Sequence, residues 1–124
     1  MPDKPHKNLN AWKYSFEFAK EIYNATSSFP ADEKFGMISQ LRRAAVSVPV
    51  NIAEGAGRKS PKEFINFLSI ALGSIAELDT LLLLSKEFKY INEDAVMILL
   101  EKLDVIGKLI YGLMKSLGYN ADNI

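Results

Sequence analysis

The 124-residue chain has no cysteine and a single histidine, His6. The first absence excludes disulfides, thiol nucleophiles and cysteine-ligated zinc; the second excludes multi-histidine metal sites and a Ser-His dyad outside the polar N-terminus. Charge of one sign is also lacking: fifteen Lys+Arg stand against fifteen Asp+Glu. A uniformly basic nucleic-acid binder and an acidic tail protein are therefore both disfavoured. The opening MPDKPHKNLN is polar and holds no apolar signal-type stretch. The strongest apolar runs, Leu81 to Leu84 and Ala95 to Leu100, fall far below the ~20 residues that span a bilayer. The expectation is a cytoplasmic protein with no membrane partner, no cofactor, no metal site and no catalytic residues.

What is present is helical periodicity in four segments, with 48% apolar residues available for one core. In the first segment, about Leu9 to Ser27, Leu9, Trp12, Phe16, Ala19, Ile22 and Tyr23 make a one-sided stripe, with Asn8 or Asn10 as cap. The second opens on Asp32 and Glu33, and its stripe is Phe35, Ile38, Leu41, Ala45, Val48 and Ile52, ending near Gly55 to Gly57. Pro49 lies inside it, and the stripe stays in phase across the proline. A kinked helix is expected there, the alternative being two shorter helices.

Ser60-Pro61-Lys62-Glu63 combines an N-cap, a first-position proline and a capping-box glutamate. The third stripe follows: Phe64, Phe67, Leu68, Ala71, Ile75, Leu78 and Leu82. Asn92 with Glu93 and Asp94 starts the fourth helix, whose stripe runs from Val96 through Leu99, Leu103, Ile106 and Ile110 to Leu117, before Gly118. Short connections between long helices predict an all-α, antiparallel up-down-up-down four-helix bundle over 9–119. A flexible arm at 1–8 and a tail at 120–124 flank it.

Several features exceed what a minimal core needs. Apolar residues surround the helix at 81–84 and 95–100, which predicts a second buried face in a homo-oligomer. Ala44, Ser47, Asn51 and Gly55 on helix two, and Ala71, Gly73 and Ser74 on helix three, predict close helix packing there. Glycine at 73 costs roughly 1 kcal/mol relative to Ala, so close packing or a cavity is expected around it. Arg43, Ser47, Asn51, Glu54 and Arg58 share one face of helix two. With Glu77 or Glu63 opposite, they form a structural polar network in which Asn51 satisfies a carbonyl freed by Pro49. Glu54 and Glu77 have no His, Cys or Lys dyad partner and no Glu-x-x-His pair, so an active site or di-iron centre is not expected.

The neutral charge is a sum of opposites. Residues 1–62 hold ten basic and six acidic residues, and 63–124 hold five and nine, leaving +4 and −4. Arg42, Arg43, Arg58, Lys59 and Lys62 are the candidate contacts for RNA or DNA phosphates; pairing with an acidic neighbouring subunit and ordinary solvation are the alternatives.

The run from Gln40 through Arg42-Arg43-Ala44-Ala45, Ser47, Pro49 and Asn51 to Ala53-Glu54-Gly55 resembles the signature of bacterial four-helix-bundle proteins encoded in 23S rRNA intervening sequences. Leu9 with Trp12, Tyr23 with Phe29-Pro30 and Glu33, then Arg58, Ser60, Phe64, Phe67-Leu68, Ala71 to Ser74 and Glu77-Leu78 extend the resemblance to nearly the whole chain. It implies a homo-oligomeric bundle, typically a ring of five with a central opening, and no known catalysis. The related accessory proteins of diversity-generating retroelements are basic, bind nucleic acid and partner with a reverse transcriptase; this chain is neutral. The functional expectation is a non-enzymatic homo-oligomer, a pentamer on the resemblance, whose basic helix-two face binds RNA or DNA weakly. A protein-protein scaffold or accessory subunit without nucleic acid is the alternative.

Overall fold

A computed structural model describes residues 4–120. Four helices carry the fold: α1 (Asn10–Thr26), α2 (Met37–Ala56), α3 (Pro61–Glu87) and α4 (Glu93–Ser116). Among the described residues there is no strand. Consecutive helices pack in pairs, α1 also meets α4, and the diagonal pairs do not meet. The four therefore surround one core, with the α1/α2 and α3/α4 seams on opposite sides. Late α2 residues meet early α3 residues: Gly55 lies against Phe64 and Phe67, whereas Ser47 reaches Ser74. These two helices run in opposite senses.

Local chemistry accounts for most boundaries. Ser60 Oγ accepts from Glu63 N at 3.1 Å, and Asn92 Oδ1 accepts from Ala95 N at 2.8 Å. Each thereby satisfies a donor that a helix start leaves unpaired. After α4, Gly118 takes φ +102, the left-handed conformation that closes a helix. α1 differs from expectation, because Leu9 occupies its cap position and makes no side-chain cap bond. Before α1, Pro5–Asn8 forms a 3-10 turn packed on α1 and α2, and the His6 ring meets Trp12 at 4.9 Å. Part of the expected N-terminal arm (residues 1–3) and of the tail (121–124) lies outside the described residues.

The start of α2 is a correction. Asp32 and Glu33 belong to a separate 3-10 turn, Ala31–Glu33, and α2 begins only at Met37. Phe35 therefore has no helical phase with the stripe that follows. It is 89% exposed, and Met37 takes the core position instead. Glu33 folds back so that its Oε1 accepts from Met37 N at 3.4 Å. A Cβ at Gly36 would sit 2.5 Å from that oxygen, the end of a flexible side chain that would have to give up this position. α2 then continues unbroken through Pro49, which excludes the alternative of two shorter helices.

The other carboxylate oxygen of Glu33 accepts a 2.8 Å bond from Tyr90 Oη, joining the α1–α2 connection to the α3–α4 connection. Phe29 and Phe88 each lie 5.6 Å, ring centre to ring centre, from Tyr90. The Glu33 bond, which only the neutral phenol donates, raises the Tyr90 pKa above the ordinary tyrosine value; desolvation and the Glu33 and Asp32 charges act in the same direction. A raised folded-state value means that this stabilisation is full below the unfolded pKa of about 10 and is lost as pH rises through the folded one. Wild-type protein should thus lose more stability than Tyr90→Phe between neutral pH and strongly alkaline pH. Parallel unfolding curves across that range would show that the bond does not form.

α3 is long and apolar enough, by length and mean hydropathy, to pass for a membrane span, although one-third of that window is buried against the bundle. Leu68, Ala71, Leu78, Leu81 and Leu82 are the apolar residues it contributes to the core, beside Ile52 of α2 and Leu103, Ile106 and Ile110 of α4.

Candidate assembly and nucleic-acid surfaces

The main surprise lies on α1. Its buried face is Ala11, Ser15, Phe18, Ile22 and Thr26; Ile22 is where the expected stripe put it, and the other buried positions lie beside that stripe. Two polar residues are tolerated in the core because they bond back to their own helix. Ser15 Oγ donates to the Trp12 carbonyl at 3.1 Å, and Thr26 Oγ1 to the Ile22 carbonyl at 2.7 Å. α1 therefore has a second apolar stripe. Trp12 and Ala19 are half-buried, whereas Phe16 and Tyr23 are 46% and 45% exposed. Across the α1/α2 seam, Val46 and Val50 are 39% and 49% exposed beside Pro49 and Ala53. Together they line an open groove of about 630 Å³. Phe16 and Tyr23, expected in the core, thus face solvent, and Val46 and Val50, outside every expected stripe, join them. The available signal was that Val46 and Val50 lie opposite Val48 and Ile52 on the helix.

The expected all-round apolar segments divide between core and solvent. Leu81 and Leu82 are buried and Leu83 and Leu84 exposed; Val96 and Leu99 are buried and Met97 and Ile98 exposed.

The five candidate phosphate contacts do not share one patch. Arg42 is held by its own chain: Nε donates to Thr26 Oγ1 at 2.9 Å, Nη2 to the Tyr23 carbonyl at 3.3 Å, and the guanidinium lies 4.5 Å from the Tyr23 ring centre. It fastens α2 to the last turn of α1, whose carbonyls have no helical partner. Arg43 is exposed and donates to Ser39 Oγ at 3.4 Å. Arg58 pairs with Glu54 at 3.5 Å and covers the Phe67 ring at 4.8 Å. Lys59 and Lys62 are exposed beside it, in the α2–α3 connection and the first turn of α3. Arg43 and Arg58 are fifteen residues apart, which along a helix is roughly 22 Å. The basic residues form two separate groups.

The polar line on α2 is also divided. Ser47 Oγ and Ser74 Oγ lie 2.8 Å apart, and Asn51 Nδ2 donates to both the Ser47 carbonyl, at 2.8 Å, and Ser47 Oγ, at 3.0 Å. This three-residue cluster ties α2 to α3. Asn51 thus reinforces the Ser47 carbonyl and not Ala45, the residue four before Pro49 whose carbonyl the proline leaves free. Among the described residues, neither Arg43 nor Arg58 makes an ion pair with Glu63 or Glu77, so the outer members of the expected network stand apart from its centre. Gly73 also departs from expectation. Nothing lies within 4 Å of where its Cβ would be, so this chain gives it neither tight packing nor an enclosing cavity.

No curated protein matches the chain. Among solved structures, a protein of unknown function from the S23 ribosomal protein family of Bacteroides thetaiotaomicron is similar, with a TM-score of 0.76 and 29% identity over 85% of this chain and 98% of that one. The model of the family described as 23S rRNA-intervening sequence protein matches residues 7–112. That span takes in all of α1, α2 and α3 and most of α4, including the Ser47–Asn51–Ser74 cluster and Gly55. The chain belongs to the 23S rRNA-intervening sequence protein family.

Proposed function

We propose that this protein is a non-enzymatic bundle whose biochemical task begins with assembly into a homo-oligomer. The observation that carries this reading is the second apolar stripe of α1, open to solvent beside Val46 and Val50. An exposed contiguous patch of aromatic and aliphatic side chains is the usual mark of an association surface. The resemblance of the signature helix sets the expected subunit number at five. Glu54 is used by Arg58, and Glu77 makes no ion pair among the described residues. Weak RNA or DNA contact is a second reading, favoured by Lys59 and Lys62, exposed cations that make no ion pair among the described residues. Arg43 joins them only if assembly brings the two basic groups of neighbouring subunits together. A docking platform for a different protein is the alternative in which the same apolar face is used without nucleic acid.

One preparation tests both readings. Light scattering at tens of micromolar, with absorbance read at 260 and 280 nm after a high-salt wash, should give a mass several times 13.9 kDa. Phe16→Glu should reduce that mass while leaving the helical circular dichroism intact. A monomeric wild-type protein would end the assembly reading. Absence of salt-sensitive binding to structured RNA or duplex DNA would end the nucleic-acid reading.

A further inference from the structure

We infer that the α1/α2 groove binds a small amphipathic carboxylate, an apolar body carrying one anionic head. The inference goes beyond the assembly reading: it concerns the same face but holds for a monomer as well as for an oligomer. The groove has the size and lining of a ligand site. Its volume of about 630 Å³ falls within the roughly 300–1,000 Å³ of small-molecule clefts. Trp12, Phe16 and Tyr23 of α1 line it together with Val46 and Val50 of α2. Lys20 and Asn24 are the polar exceptions in a lining that is otherwise aliphatic or aromatic.

Those two residues set the chemistry of the head. They stand four positions apart on α1, so their side chains share one side of the helix. An ammonium and an amide donor thus lie together beside apolar surface. The Asn24 side chain makes no hydrogen bond among the described residues. Lys20 Nζ meets Glu17 at 3.0 Å, and both side chains of that pair are 63% exposed. Such a pair contributes little to stability, so exchanging Glu17 for a ligand carboxylate costs little.

The sign of the charge selects the occupant. Glu17 lines the separate cleft between α1 and α4, with Tyr14, Phe18 and Lys102. Among the described residues no carboxylate lines the α1/α2 groove. The Arg42 guanidinium, 4.5 Å from the Tyr23 ring centre, adds positive charge at that end. The α3/α4 groove has no such bias, because it mixes Asp79 and Asp104 with Lys108 and Lys115. A single lining cation suits one anionic head, whereas a nucleic-acid strand is held through several phosphates.

Trp12 is the only tryptophan of the chain, so its emission reports what enters the groove. Dodecanoate, added to the full chain below its micelle-forming concentration, should shift that emission to shorter wavelength and saturate at one molecule per chain. Dodecyltrimethylammonium has the same tail with the opposite charge, and butyrate has the head alone; both should bind far more weakly. Lys20→Gln should weaken dodecanoate roughly tenfold, the loss of one charge-assisted hydrogen bond. Lys115→Gln, on α4, should leave it unchanged; both lysines are exposed, and circular dichroism checks the fold. Equal binding of the cationic amphiphile, or equal losses in the two lysine variants, overturns the inference. A Trp12 emission that ignores dodecanoate also overturns it, and in an oligomer means that a second copy fills the groove. Light scattering on the same samples separates this result from the assembly reading. A monomeric wild-type protein that binds dodecanoate ends the assembly reading alone. A mass that falls in step with the Trp12 shift supports both, because ligand and neighbour then compete for one groove. A Trp12 shift at unchanged oligomeric mass supports the ligand and puts the subunit interface elsewhere.

Discussion

Leu41→Ala should lower the unfolding free energy by about 2–5 kcal/mol, whereas Phe35→Ala should change it by no more than about 0.5 kcal/mol. Both residues belong to the apolar stripe that the sequence suggests for helix two. Leu41 is fully buried between α2 and its neighbours, and truncating it removes apolar contacts and leaves a cavity that close-packed helices fill only in part. Phe35 stands before the helix begins and projects into solvent, with Lys34 Nζ 5.6 Å from its ring centre. Urea unfolding of the two variants and wild type, at one protein concentration so that association does not shift the comparison, checks the pair. Equal losses would place Phe35 in the core after all.

The same substitution at two glycines should act with opposite signs. Gly55→Ala would put a methyl group 2.8 Å from Phe64 Cδ1 and 2.9 Å from Phe67 Cβ. The first atom belongs to a ring that can turn, but the second is fixed to the α3 backbone, so the helices must separate. Overpacking of this kind costs about 1–3 kcal/mol. Gly73→Ala meets open space and gains the helix-forming advantage of alanine, about 0.8–1.0 kcal/mol. Thermal unfolding of both variants would show Gly55→Ala melting below wild type and Gly73→Ala above it. A stabilised Gly55→Ala would mean that α2 and α3 approach less closely than the fold requires.

These pairs also show where sequence reasoning succeeds. Ser60 and Asn92 begin their helices because a short side-chain oxygen next to a helical run satisfies neighbouring backbone donors, and that relation is local. The phases of α3 and α4 were equally legible: Leu68, Ala71, Leu78, Val96, Leu103 and Ile110 are all buried. α1 was harder, because its core face includes Ser15 and Thr26 while Phe16 and Tyr23 face outward. Hydrophobicity alone places most of the stripe one residue away. Only the back-bonding of two hydroxyls makes the polar pair acceptable inside.

The candidate phosphate residues illustrate the same limit. In the sequence Arg42 and Arg43 are equivalent neighbours, but adjacent residues on a helix point about 100° apart. Arg42 consequently turns toward α1 and is occupied by Thr26 and Tyr23, while Arg43 remains available at the surface.

The sequence by itself determined the number and the approximate ends of the helices, the absence of cysteine chemistry, and the opposite charges of the two halves of the neutral chain. Those properties follow from composition, periodicity and caps, which act over a few residues. Which apolar stripe of α1 is buried, which arginine is occupied, and that Ser47, Asn51 and Ser74 meet were decided only by the tertiary structure. Each depends on how one helix is rotated against another, and that rotation is set by the packing of all four together. The zero net charge thereby becomes spatial: Arg42 is taken up by neutral groups of α1, whereas Arg58, Lys102 and Lys108 meet the carboxylates of Glu54, Glu21 and Asp104.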